Sequence, residues 1–321
     1  MVFILKENMK IIAKFLTMCL ISVSAWAGYP DRPVKIIISL PAGSGPDVQL
    51  RVAAEVLSEK WGQPVVVENK PGGSGLVAMS QLTKDSSDGN TFAMFSVGDI
   101  VASPILLNKD NLLSYIEPLA PFFTADMVLF ASPAMSNIKE LQNEIQKNPM
   151  YGSWAVGSIG HLTGAEFANI YNKNSTHVPY KEYGPWYIDT ANRVLSFGFT
   201  SLGSGNAMYR AGKIHYLAIA SEQRNKKFPN VPTIREVSGK KIVAQSWLAF
   251  FIKKDVSELI KRQIEKDLRD AMSSQKVQSS LDDNFFIPMN TVTLKDFRGQ
   301  IEKDQVNYAT TLKKYNINIK E

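Results

Sequence analysis

Three short stretches of this 321-residue chain place glycine, serine and proline between a β-branched run and a helix-forming run. They are Leu40-Pro41-Ala42-Gly43-Ser44-Gly45-Pro46-Asp47, Pro71-Gly72-Gly73-Ser74-Gly75 and Gly157-Ser158-Ile159-Gly160. Backbone N–H groups at the start of a helix lack intrahelical partners and sit at the positive end of the helix dipole, so such loops suit anions. Glycine lets the backbone approach a bound molecule closely, and Ser44, Ser74, Ser153 and Ser158 add hydroxyl donors. One such loop alone reads as a tight strand-to-helix turn. Three in one chain, split across two α/β halves, favour a ligand cleft.

Sharper motifs fail. No Gly-Lys-Ser/Thr follows a glycine loop, so the Walker phosphate pattern is absent. Gly73-x-Gly75-x-x-Ala78 approaches the dinucleotide fingerprint, but Glu68-Asn69-Lys70-Pro71-Gly72 separates it from its strand. Ser158 has Val156 where a nucleophile elbow needs glycine; a secreted hydrolase using Ser158 and His161 is the rival reading from another class. His161, His177 and His215 are the only histidines, and no two have the i,i+4 spacing of a metal pair. His161 opens a helix, where it suits a backbone carbonyl or the cleft better than a metal. Lysine and arginine are interleaved with acids, which argues against a nucleic-acid face.

The elements around these loops alternate. Strand patterns cover residues 34–39, 64–68, 91–96, 127–131, 151–156, 193–200, 213–220 and 247–252, and helical patterns cover 48–61, 138–147, 161–171, 256–273 and 294–315. Strand, loop and helix repeated in this way predict a parallel sheet with crossover helices. In the helix over 256–273, Val256, Leu259, Ile260, Ile264, Leu268 and Ala271 are expected on one buried face.

Composition is ordinary for a folded protein, at 45% hydrophobic and 21% charged residues, which excludes a disordered chain and a polytopic membrane protein. Lys6, Lys10 and Lys14, an apolar run over 15–23 and the ending Ser24-Ala25-Trp26-Ala27 describe a secretory signal peptide cleaved after Ala27. Met9 is a plausible alternative start. Three lysines and one glutamate leave with the leader, so the mature 294 residues hold 33 basic and 29 acidic side chains, a net of +4. Cys19, the only cysteine, leaves too, which removes disulfides and thiolate metal sites.

In order along the chain, further segments carry a resemblance. They are Tyr29-Pro30-x-x-Pro33-Val34-Lys35-Ile36-Ile37; Pro41-Ala42-Gly43-x-Gly45-x-Asp47 with Arg51; and Gly62-Gln63-Pro64-Val65-Val66-Val67-Glu68-Asn69-Lys70-Pro71-Gly72. Asp88-Gly89-x-Thr91, Ser158-x-x-His161-Leu162, His177-Val178-Pro179-Tyr180-Lys181, Ala211-Gly212-Lys213 and Phe228-Pro229-Asn230-Val231-Pro232-Thr233 follow. Their order and spacing closely resemble the substrate-binding receptors of tripartite tricarboxylate transporters, the Bug or TctC-like family. The resemblance implies an α/β, two-domain Venus-flytrap fold of the periplasmic binding protein type II kind, with the ligand cleft between domains. It also implies an interrupted first domain, residues 28–125 plus 243–321, and an inserted second domain, residues 126–242.

By the same resemblance the ligand is a small carboxylate held by backbone amides, hydroxyls and water. Carried onto this chain, the contacts are Pro41, Ala42, Gly43, Ser44 and Asp47, then Gly73, Ser74 and Ser96. The second domain supplies Ser153, Ala155, Gly157, Ser158 and His161, with Tyr180, Thr200 and Ser201 nearby. Asp47 reads either as a helix cap or as a ligand contact, and capping is favoured because two anions repel. Tyr180 reads equally as a contact or as a packed core ring.

Departures from the family pattern fall after Lys181. Glu182-Tyr183-Gly184-Pro185-Trp186-Tyr187 stands where small residues are usual, and either narrows the cleft or decorates the surface. Gly198 makes its strand unusual, and Ala207 replaces a frequent proline. The functional expectation is a non-enzymatic, monomeric periplasmic receptor with no catalytic residue, metal or cofactor and no nucleic-acid partner. Its partners are a small organic acid (a mono-, di- or tricarboxylate, an amino acid or an aromatic acid) and the membrane subunits of a tripartite tricarboxylate transporter. The rival among binding proteins signals to a membrane kinase.

Overall fold

Val34-Lys35-Ile36-Ile37-Ile38 is β-branched at four of five positions and forms β1 (Val34–Ile38) at the centre of a parallel trio. Its neighbours are β2 (Val65–Asn69) and β3 (Thr91–Ser96). The computed structural model describes residues 28–107, 113–315 and 317. The leader expected over residues 1–27, with Cys19, lies outside them. The chain divides into two units, residues 1–31 and 32–321, and every strand and helix described belongs to the second. Among the described residues no helix is long and apolar enough to cross a membrane.

Several of the helices start where a side chain takes over an unpaired amide. Ser44 caps α1 (Gly45–Trp61) by accepting from the Asp47 N–H, and Gly62, at φ 62°, closes its far end. A single 3-10 turn, Gly73–Gly75, leads into α2 (Leu76–Lys84), and a π turn, Gly98–Ala102, leads from β3 into α3 (Ser103–Leu107). The next strand, β4 (Ile116–Ala131), runs for 16 residues, far longer than the strand expected over 127–131. Pro118 and Pro121 break its alternation and sit at register shifts against β9, which is where proline is tolerated in a sheet.

Beyond β4 come α4 (Ile138–Lys147), β5 (Met150–Ser153), α5 (Ile159–Tyr171), β6 (Thr176–Pro179) and α6 (Tyr183–Ala191). They are followed by β7 (Phe197–Ser201), α7 (Leu202–Arg210), β8 (His215–Ile219) and α8 (Ile234–Ser238). The chain then returns along β9 (Gln245–Lys253), α9 (Glu258–Met272), α10 (Gln275–Asp283), β10 (Ile287–Pro288) and α11 (Leu294–Lys314). The expected helix over 256–273 is therefore followed by a second, separately capped one. In α9, Ile264, Leu268 and Ala271 are buried, but Leu259 is 70% exposed because it lies about 150° round the helix from that face.

Among the described residues the strands join in the order β2-β1-β3-β9-β4-β7-β5-β6, with β10 and β8 both on β4. β4 is the shared element. Its residues 116–126 pair with β9, and 127–131 pair with β7 and β8, so one strand threads two half-sheets. The pairs β1–β2, β1–β3, β5–β6 and β5–β7 are parallel, as the strand–helix alternation predicted; every pair made by β4 or β9 is antiparallel.

Trp186 shows how the departures near Lys181 are absorbed. It neither narrows the cleft nor decorates the surface: α6 drops its indole, fully buried, onto the second half-sheet against Phe130 and Tyr187. The sheet makes room with two glycines that face each other in register, Gly152 on β5 and Gly198 on β7. A Cβ at Gly198 would stand 2.6 Å from the indole, and one at Gly152 would stand 2.5 Å from its Nε1. The unusual Gly198 and the unusual Trp186 are thus one packing device. Glu182 precedes α6 and is exposed.

Candidate functional site

The loops that follow β1, β2 and β3 meet those that follow β5 and β6 around a cavity of about 510 Å³. The first group contributes Ser39, Leu40 and Pro41, then Pro71 to Gly75, then Ser96, Gly98, Asp99 and Ser103. The second contributes Trp154, Ala155, Val156 and Ser158, with Pro179, Tyr180 and Lys181. Ligands of open α/β sheets bind at such strand ends.

A direct bond joins the two groups. Ser74 Oγ donates to the Val156 carbonyl at 2.9 Å, while Ser103 Oγ donates to the Ser74 carbonyl at 2.6 Å. Ser74 holds a left-handed backbone (φ 50°) that a non-glycine residue adopts at some cost in energy. Nearby, a Cβ at Gly98 would sit 3.3 Å from the Ser158 Cα, so backbone meets backbone across the cavity wall.

Of the sixteen expected contacts, Pro41, Gly73, Ser74, Ser96, Ala155, Ser158 and Tyr180 line this cavity. Ala42 and Gly43 are exposed beside it. Gly43, at φ 76°, turns its N–H to Asp47 Oδ2 at 2.9 Å, and Ser44 is occupied as the α1 cap. Asp47 is buried and also takes Arg51 Nε (3.1 Å) and Asn69 Nδ2 (2.8 Å). Burial pushes its carboxyl up, but the bonds from Arg51, Asn69 and Gly43 outweigh this and hold it below the usual range. Asp47 therefore shapes the first loop from behind, and the cap of α1 expected of it is supplied by Ser44.

Five more residues stand behind the wall. Ser153 is fully buried, with its Oγ 2.9 Å from the Ala155 carbonyl and 2.8 Å from His177 Nε2. His161 Nδ1 accepts from the Gly157 N–H at 3.0 Å, so the ring props the loop. Gly157, at φ 78°, leaves no room for a side chain, since a Cβ would meet Leu106 at 2.5 Å. Thr200 is buried against the Tyr187 hydroxyl at 2.8 Å, and Ser201 caps α7 while lining a separate hollow of about 20 Å³. Tyr180 lines the cavity and packs, half-buried, against the core of the second half-sheet, and its hydroxyl donates to Asp189 at 2.5 Å.

Ser158 caps α5 by accepting from the His161 N–H, and its own hydroxyl lies 2.8 Å from the Ala155 carbonyl. The Ser158–imidazole pair on which a hydrolase depends does not form. His161 instead stacks on His177, ring centroids 3.6 Å apart. Burial pushes His161 down to about 4; burial and the neighbouring His161 push His177 down to about 2. Among the described residues no group of three or more His, Cys, Asp or Glu side chains could hold a metal ion.

The cavity residues absent from the expected contacts include Asp99, Trp154 and Lys181. Asp99 had one available signal, a lone acid inside the apolar stretch 97–102 directly after a buried strand. Its Oδ2 accepts from Ser39 Oγ (2.7 Å), the Ser96 N–H (2.8 Å) and Ser96 Oγ (2.8 Å). Burial raises its carboxyl, and the bonds from Ser39 and Ser96 offset this only in part. Gly75 makes room for it, since a Cβ there would stand 2.3 Å from Asp99 Oδ1.

Two half-sheets sharing one strand, with a cavity lined by strand-end loops from both, define the mixed α/β periplasmic binding protein fold. Solved structures agree. "Structure of periplasmic binding protein BugD" is 22% identical with a TM-score of 0.82, covering 90% of this chain and 99% of that one. "R. palustris Rpa4515 with adipate" is 23% identical with a TM-score of 0.84, covering 91% of this chain and 99% of that one. MatC (Rpa3494) from Rhodopseudomonas palustris, with bound malate, is 18% identical with a TM-score of 0.80, covering 88% of this chain and 100% of that one. A UPF0065 protein of Bordetella pertussis is 30% identical over 268 residues, 82% of this chain and 83% of that one. The tripartite tricarboxylate transporter family receptor model, TctC, matches residues 49–315, and the chain belongs to that family. Its members are periplasmic solute-binding proteins.

Proposed function

We propose that this chain is an exported receptor that captures a small organic carboxylate and passes it to the membrane subunits of a tripartite tricarboxylate-type transporter. The observation that carries the reading is the Ser74–Val156 bond, which ties the loop after β2 to the loop after β5 over the cavity. A ligand held by both loop groups favours the closed arrangement through contacts an open one lacks, so closure is a population shift that the ligand drives. The halves would be residues 28–125 plus 243–321 and residues 126–242, hinged where β4 and β9 change partners. Residues 1–27 would be removed on export. The receptor would act as a monomer and without catalysis.

The contact set proposed is the lining subset of the expected residues: Pro41, Gly73, Ser74, Ser96, Ala155, Ser158 and Tyr180. Adipate and malate, the acids bound in two structures of the same fold, support a carboxylate as the ligand. The test is thermal melting of the purified protein with mono-, di- and tricarboxylates, amino acids and aromatic acids. A rise in melting temperature with a subset of acids supports the receptor reading, and no rise with any of them contradicts it.

A further inference from the structure

We propose that the acid bound here also carries an ammonium group, received by Asp99; this rests on the carboxylate-receptor reading. Buried charges in proteins are paired, because an isolated ion in a low-dielectric interior is costly. Asp99 is 7% exposed, and no lysine, arginine or histidine of the described residues is bonded to it. Its three donors all fall on Oδ2, and one of them, the Ser96 amide, can only donate. Those bonds favour the carboxylate form but offset burial, which raises the carboxyl, only in part, so the ionised form still needs a cation beside Oδ1. No hydrogen bond from the described residues reaches Oδ1, and the bare Gly75 backbone lies beside it where a side chain would cover it. The missing countercharge is left to the cavity's occupant.

The rest of the cavity fits a zwitterion. Among the described lining residues the charged side chains are Asp99 and Lys181, of opposite sign, and no described carboxylate pairs with Lys181. Trp154 adds an aromatic face stacked on Tyr183 at 5.9 Å, a surface that attracts an ammonium group. A plain dicarboxylate would bring further negative charge toward a carboxylate that already lacks a cation, and like charges in such a site repel strongly. An ammonium beside Asp99, with the ligand carboxylate toward the Ser74, Ala155 and Lys181 side, satisfies both ends.

Titration calorimetry of the purified protein with matched acids tests this: succinate against aspartate, adipate against 2-aminoadipate, butyrate against 4-aminobutyrate, and 3-phenylpropionate against phenylalanine. The amino member of at least one pair should bind about tenfold tighter or more, a difference of about 1.4 kcal/mol. Asp99→Asn should abolish that preference by weakening the amino member, while the plain acid, relieved of a like charge, binds as tightly or tighter. Asp99→Ser, checked for folding by circular dichroism, should do the same if the asparagine variant fails to fold. Plain acids that bind wild type as well as their amino partners overturn the proposal alone. So does an Asp99→Asn protein that keeps full affinity for the amino member, which would mark Asp99 as a neutral donor to a carboxylate. No binding of any probe overturns the receptor reading and this proposal together.

Discussion

Gly75 and Asp99 meet so closely that their coupling can be worked out before it is measured. The three atoms nearest a Cβ placed on Gly75 all belong to Asp99: Oδ1 at 2.3 Å, Cγ at 2.6 Å and Cβ at 2.7 Å. Gly75 also sits at φ +89°, a conformation that costs an L-residue about 1–2 kcal/mol. Gly75→Ala therefore carries two separable costs. The backbone part stays whatever residue 99 is. The steric part, about 1–3 kcal/mol for an overpacked contact, exists only while residue 99 has a side chain. Asp99→Gly removes all three clashing atoms.

Urea unfolding of wild type, the two single variants and the double variant closes the cycle. Gly75→Ala should cost about 2–5 kcal/mol in the wild-type background and only about 1–2 kcal/mol beside Gly at 99. A cost that is equal in both backgrounds would refute the claim that Gly75 is glycine for the sake of Asp99.

The other glycine device predicts that Gly198→Ala destabilises the protein by about 1–3 kcal/mol, since its Cβ would stand 2.6 Å from the Trp186 indole; urea midpoints measure it. Ser158→Ala should cost about 0.5–2 kcal/mol through the lost cap of α5 even without ligand, read the same way. His161 and His177 are held neutral in the folded protein, at about 4 and about 2, and regain ordinary values near 6.5 on unfolding. The unfolded chain thus binds protons that the folded one refuses, and stability is lost as pH falls below about 6.5. Going from pH 7 to pH 5 should cost about 2 kcal/mol for each histidine, and His161→Asn should make the dependence on pH shallower.

Much of the fold was legible because it rests on local rules. The β-branched run before Pro41 became β1, and the run after the Asp88-Gly89 turn became β3. What local pattern could not show was long-range. Prolines hid the first eleven residues of β4, because its bulges answer to β9, more than a hundred residues away. Gly198 and Trp186 looked like two oddities until the register of β5 and β7 put the glycines under one indole.

The site divides in the same way. Motif glycines and serines pointed to loops that line the cavity, but spacing cannot say which residue of a loop faces it. Gly73 and Ser74 line it, while Gly43 and Gly157 turn away to serve Asp47 and His161. Asp99 was passed over because a lone acid in an apolar stretch carries no motif. Its meaning depends on Ser39, 60 residues earlier, and on Gly75.

Amide hydrogen exchange with and without a saturating acid, one that raises the melting temperature, tests the central claim most directly. The cavity account predicts simultaneous slowing at residues 73–75, 98–99 and 155–158, which belong to loops of both half-sheets. Slowing confined to one half-sheet, or appearing instead around Thr124, Trp247 and Tyr308 at a separate hollow, would contradict it.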